Sequence, residues 1–180
     1  MKAAITEHRS FAAVRAIMRW ILAALFVAAG IAHLSAPKVF LSITPDWVPF
    51  APQVIFGTGL CELAGAAALV LDDILSMIFS EIRKSPRIMS GAGFFGTMLG
   101  RPLRSWAGIA LALYALCVWP ANIKQALDHI VIPSIPDSWW YHGPRLALQP
   151  VIIWAALFAA GVIDWPFAGA RRDAAGRQQD

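Results

Sequence analysis

Charge is scarce in this chain. Asp, Glu, Lys and Arg supply 14% of its 180 residues, where a soluble domain carries about 25%. That argues against an ordinary globular surface. Cysteine is scarcer: Cys61 and Cys117 stand in separate apolar runs, without a CxxC or a Cys/His metal spacing. Neither a disulfide framework nor a zinc site is indicated. Alternation at a period of two is missing, which excludes a membrane β-barrel. Also missing are a haem ligand pair, the dinucleotide-binding glycines and the cysteines of an iron–sulfur cluster. Any electron carrier would have to come from a ligand or a partner.

Apolar residues, in contrast, make up 58% of the chain, and eight of them are Trp. Four stretches are long enough to cross a bilayer, which takes about 20 apolar residues per helix: 17–35, 52–71, 106–123 and 144–164. The expected fold is therefore all-α, an integral membrane antiparallel four-helix bundle. Residues 1–16 read as a cytoplasmic segment, 17–170 as the membrane domain with a long inner loop at 72–103, and 171–180 as a cytoplasmic tail. The first span also has the basic start of a signal peptide, but its apolar run is long and its cleavage pattern poor. Lys2, Arg9, Arg15 and Arg19 near the N-terminus, Arg83, Lys84, Arg87, Arg101 and Arg104 between the second and third spans, and Arg171, Arg172 and Arg177 in the tail are twelve of the fifteen Lys and Arg residues, leaving Lys38, Lys124 and Arg145 for the other face. The positive-inside rule then puts both termini in the cytoplasm. The net charge of +4 lies in clusters flanking the spans, so a lipid bilayer is the expected partner and nucleic acid is not. Ile74, Leu75, Ile78, Phe79 and Ile82 have helical spacing. They read either as an interfacial amphipathic helix or as a solvated helix packed on a partner protein.

Against this apolar background a few polar residues stand out. Glu62 lies ten residues into the second span, about 15 Å deep at 1.5 Å per residue. An intramembrane carboxylate marks a functional site or a structural pair. His33, Asn122, Arg145 and Gln149 fall between the outer surface and the midplane on the other three spans. All four are candidate partners for Glu62. Each also has a plain reading: His33 as an interfacial histidine, Asn122 as a helix cap, Arg145 as a headgroup anchor. Pro120 and Pro150 free the carbonyls of Leu116 and Leu146, which Asn122 and Gln149 are placed to satisfy. Gly57, Cys61 and Gly65 form a small-residue stripe for close helix approach, with Phe26, Gly30 and His33 as a comparable face on the first span. Cys61 and Cys117 are expected to fill the core.

Taken in order, "AGIAHLSAPKVFLSITPDWVP", "GTGLCELAGAAALV", "RSWAGIALALYALCVWPANIKQAL" and "GPRLALQPVIIWA" resemble the DoxX family of small bacterial membrane proteins. The resemblance covers most of the chain except its termini and the 72–103 region, which the family lacks. It implies a four-helix protein of the bacterial inner membrane. It also implies, more loosely, a subunit of a membrane redox complex that exchanges electrons with quinone, with a membrane or soluble redox partner.

Two readings follow. In the first, an outer-half cavity binds a quinone headgroup or small reductant. Glu62 exchanges the proton, His33 relays it, and Arg145, Asn122 and Gln149 hold the substrate. In the second, the protein is a non-catalytic membrane partner or assembly factor. Its polar cluster fixes helix register, and its basic inner loop contacts protein or anionic lipid.

Overall fold

The computed structural model describes residues 2–82, 92–132 and 135–166. It contains α1 (Lys2–Ser35), α2 (Pro37–Ile43), α3 (Ala51–Ile82), α4 (Ala92–Leu127) and α5 (Trp139–Ala159), and no strand among the described residues. Proline sets the early breaks: Pro37 opens α2, where its missing N–H costs nothing. Pro144 and Pro150 lie inside α5. Segments Phe11–Ser35, Ala51–Leu71 and Leu103–Leu127 are long and apolar enough to cross a membrane, and we read the chain as a multi-pass membrane protein. Helix α5, expected to be the fourth span, is less apolar, because His142, Arg145 and Gln149 occupy its first half.

The stretch 72–103 was expected to be an inner loop opening on a separate helix. Instead α3 continues through it to Ile82, and α4 begins at Ala92. No glycine or proline interrupts residues 66–82, so the helix has no reason to stop. Ile74 packs against the core, while Met77 and Ile78 are exposed. A separate interfacial helix starting at Ile74 is thereby ruled out.

Helix α3 runs back along α1, α4 packs on α3, and α5 packs on α4 and touches α1. One apolar core collects Leu22 and Phe26 from α1, Leu69 from α3, Leu111 from α4 and Ala156 and Ala159 from α5. Lipid is as apolar as these side chains, so close packing has to hold the helices together. Two glycines permit it. A Cβ on Gly30 would lie 2.9 Å from the Gly59 carbonyl, and one on Gly108 would overlap the Ala160 Cβ. The stripe read at 57, 61 and 65 performs this role only at Gly65, which meets Leu111; Gly57 faces open space. Cys61 and Cys117 are exposed, not core residues, and share the outward surface with Leu60, Leu113 and Leu116.

The basic residues midway along α1 do more than flank an apolar run. Arg19, 6% exposed, forms a bidentate pair with Asp73 of α3, its Nε 2.7 Å from Oδ2 and its Nη2 2.6 Å from Oδ1. Its Nη1 donates to the Ala159 carbonyl at the end of α5. Arg15 donates to the Ile163 carbonyl and to Asp164, and its guanidinium lies 4.7 Å from the centre of the Phe158 ring. At the opposite end, the Lys124 ammonium donates to the Thr44 carbonyl and to Asp46, each at 3.0 Å. These contacts set α1 antiparallel to α3.

Candidate functional site

The five polar residues singled out in the sequence do not gather at one point. They divide between the α1–α3 face and the α4–α5 face.

Close helix approach builds the first group. Gly59 lets His33 come up beside it; a Cβ there would be 3.1 Å from the His33 Cβ. Glu62 follows three residues later, on the same face of α3. Both are buried, His33 at 8% and Glu62 at 3% exposure. The His33 Nδ1 lies 2.9 Å from Glu62 Oε2 and 3.0 Å from the Ala29 carbonyl. A single N–H cannot serve both well, and its line favours Ala29. Glu62 Oε2 is left without a hydrogen-bond donor, an arrangement that costs about 1–3 kcal/mol. Phe40 of α2 stacks on the His33 ring, centroids 3.7 Å apart, and covers it from outside. On the far side, the Tyr114 hydroxyl stands within interaction range of Glu62 and Thr58. The arrangement is a carboxyl, an imidazole and a phenol enclosed together, which is proton-exchanging chemistry shielded from water.

The second group is organised by Arg145, near the start of α5. Its Nη1 donates to Gln125 Oε1 and its Nη2 to Asn122 Oδ1. Asn122 Nδ2 reaches Gln149 Oε1 at 3.4 Å, and Gln149 Nε2 donates to the Ala115 carbonyl. That carbonyl is one residue before the Leu116 oxygen that Pro120 was expected to free. Asn122, Arg145 and Gln149 line a cavity of about 620 Å³ with Trp140, Leu148 and Ile152. Such a volume is within the range of small-ligand sites, about 300–1,000 Å³. Among the described residues no carboxylate pairs with Arg145, whereas Arg15, Arg19 and Lys124 each have one.

Two expectations therefore need correcting. Of the four candidate partners for Glu62, only His33 lies beside it, and neither Glu62 nor His33 lines the cavity that holds the other three. The cause is helix order: α3 packs on α1 and α4 rather than on α5, and Arg145 spends its reach on α4 amides.

Some participants escaped the sequence reading. Tyr114 is one of only two tyrosines, set inside an apolar run, and that was its signal. Gln125, 1% exposed, lies one turn after Asn122. A third group needed the fold to be seen. The Asp137 carboxylate lies 3.1 Å from His129 Nδ1 and 3.4 Å from Nε2 of buried His142, joining the end of α4 to the start of α5.

A family model described as a domain of unknown function (DUF8561) matches residues 22–74, less than half of the chain. The matched segment carries His33, Glu62 and Asp73, the α1–α3 contributions to two of the polar contacts described above. No curated protein and no solved structure matches the chain.

Proposed function

We propose that the protein is a four-span, DoxX-like component of the bacterial inner membrane, with both termini inside, which holds a membrane-soluble amphiphile by its oxygen-bearing head between α4 and α5. The observation that carries this reading is Arg145, a guanidinium held by two neutral amides at a cavity that Trp140, Tyr141, Pro144, Leu148 and Ile152 line beside the amides of Asn122 and Gln149. The fixed amides orient its planar fork, and its other N–H groups remain to meet ligand oxygens.

A quinone is the member of this ligand class that would make the protein a subunit of a membrane redox complex. The residues fit its headgroup: Arg145 offers donors to a carbonyl oxygen, and Trp140 and Tyr141 offer aromatic surface. A bound quinone would supply the two-electron chemistry that no side chain here provides. Glu62 and His33 do not line the cavity, so no proton step on the ligand is assigned to them. Their part is to join α1 to α3.

One observation favours a non-catalytic role. The amides of Asn122 and Gln149, read as substrate ligands, are engaged in bonds between α4 and α5, which fixes helix register. Titration of the purified protein with a short-chain quinone, followed through tryptophan fluorescence, separates the two. Saturable quenching that Arg145→Met removes is expected for a binding role. A folded protein that shows no saturable response to a quinone or to any other amphiphile is an assembly factor instead.

A further inference from the structure

Every inward-facing cation described above except Arg145 has a carboxylate. Arg15 has Asp164, Arg19 has Asp73 and Lys124 has Asp46. Arg145 has the oxygens of Gln125 and Asn122 and the face of Tyr141, 5.9 Å away. None of these neutralises its charge. A cation in a low-dielectric setting without a counter-charge is costly, and an anion that completes it gains in proportion. The cavity is also elongated along α5. Tyr141, Arg145, Leu148 and Ile152 follow one another at four-, three- and four-residue steps, so they share one helix face. Arg145 sits toward the outer end, and Leu148 and Ile152 continue toward the middle of the span. Leu148 is 53% exposed, an open apolar wall beside the charge.

Resting on the reading of this cavity as an amphiphile site, we infer that its ligand is anionic: the phosphate of an outer-leaflet phospholipid binds Arg145, and its acyl chain lies along Leu148 and Ile152. A phosphodiester supplies the missing negative charge and acceptor oxygens that suit a guanidinium fork. A neutral quinone supplies only the acceptors. The chain groove separates the lipid from free phosphate, which has no use for it.

The test uses the full chain in a neutral detergent and four probes: lysophosphatidylglycerol, lysophosphatidylcholine, a short-chain quinone and inorganic phosphate. Binding is read by tryptophan fluorescence. Lysophosphatidylglycerol should bind about tenfold or more tightly than the quinone, and more tightly than the zwitterionic lipid. Arg145→Met should abolish that preference. Because this variant also loses bonds to Asn122 and Gln125, a second variant guards against misfolding. Leu148→Glu leaves those bonds in place and sets a carboxylate one turn from Arg145. It should lose the preference for anionic lipid at unchanged thermal stability. Equal binding of the quinone and the anionic lipid overturns the inference but leaves an amphiphile site. Full competition by inorganic phosphate overturns the lipid assignment. Retained anion preference in Leu148→Glu overturns the role of Arg145. Binding of none of the four probes overturns the inference together with the reading on which it rests.

Discussion

His33 and Glu62 approach to 2.9 Å, nitrogen to carboxylate oxygen, while the His33 N–H is directed at the Ala29 carbonyl one helical turn earlier on α1. The contact joins α1 to α3 at the point where Gly30 and Gly59 bring the two backbones together. It sets a buried carboxylate beside an imidazole, and leaves Arg145 to the α4–α5 side.

From that arrangement we expect Glu62 to be coupled to His33 and independent of Arg145. In unfolding measurements on detergent-solubilised protein, Glu62→Gln combined with His33→Gln should deviate from additivity by about 0.5–3 kcal/mol. Glu62→Gln combined with Arg145→Met should be additive to within about 0.5 kcal/mol. The reverse pattern would restore the ion pair that sequence depth alone suggests.

Arg19 and Asp73 form a buried bidentate pair whose third arm holds the end of α5. Removing one member strands the other, at a cost of about 3–5 kcal/mol. Arg19→Met and Asp73→Asn should each lower the thermal midpoint sharply, and the double variant should recover part of the loss. Arg19→Lys should rescue little, since an ammonium cannot reproduce the fork. Full stability in either single variant would show that this clamp is idle. Deletion of 72–103 as though it were a detachable loop should destabilise the protein, because it removes Asp73 and Ile74.

Close approach at Gly108 gives a steric test. A Cβ there would overlap Ala160 and come within 2.9 Å of the Ala156 carbonyl, a rigid backbone atom. Gly108→Ala should push α4 from α5 and cost about 1–3 kcal/mol. Gly57→Ala meets nothing within 4 Å and should be neutral or slightly stabilising. Equal responses at the two positions would mean that α4 and α5 do not pack this tightly in the membrane.

Topology is open to direct measurement. The positive-inside rule, applied to the one-sided spread of Lys and Arg along the sequence, leads us to expect both termini inside. Reporter fusions after residue 180 and within residues 128–132 should give opposite signals. Equal signals would remove α5 from the spanning helices.

The sequence by itself determined the class of protein and where its long apolar helical stretches lie. Those properties depend on local composition: apolar runs of spanning length, prolines at breaks and a one-sided distribution of Lys and Arg. A constant helical rise puts Glu62, His33, Asn122, Arg145 and Gln149 at comparable heights along their helices. Which of them touch was decided only by tertiary structure, because depth says nothing about rotation around the helix axis or about which helices are neighbours. Packing of α3 on α1 gave Glu62 to His33. Packing of α5 on α4 gave Arg145 to Asn122 and Gln125. The same limit explains the stripe at Gly57, Cys61 and Gly65, where spacing identified a face and the fold turned most of it outward. It explains Arg19 and Asp73 as well: 54 residues apart in the chain, they meet only because α3 continues as helix beyond the apolar run that first marked it as a span.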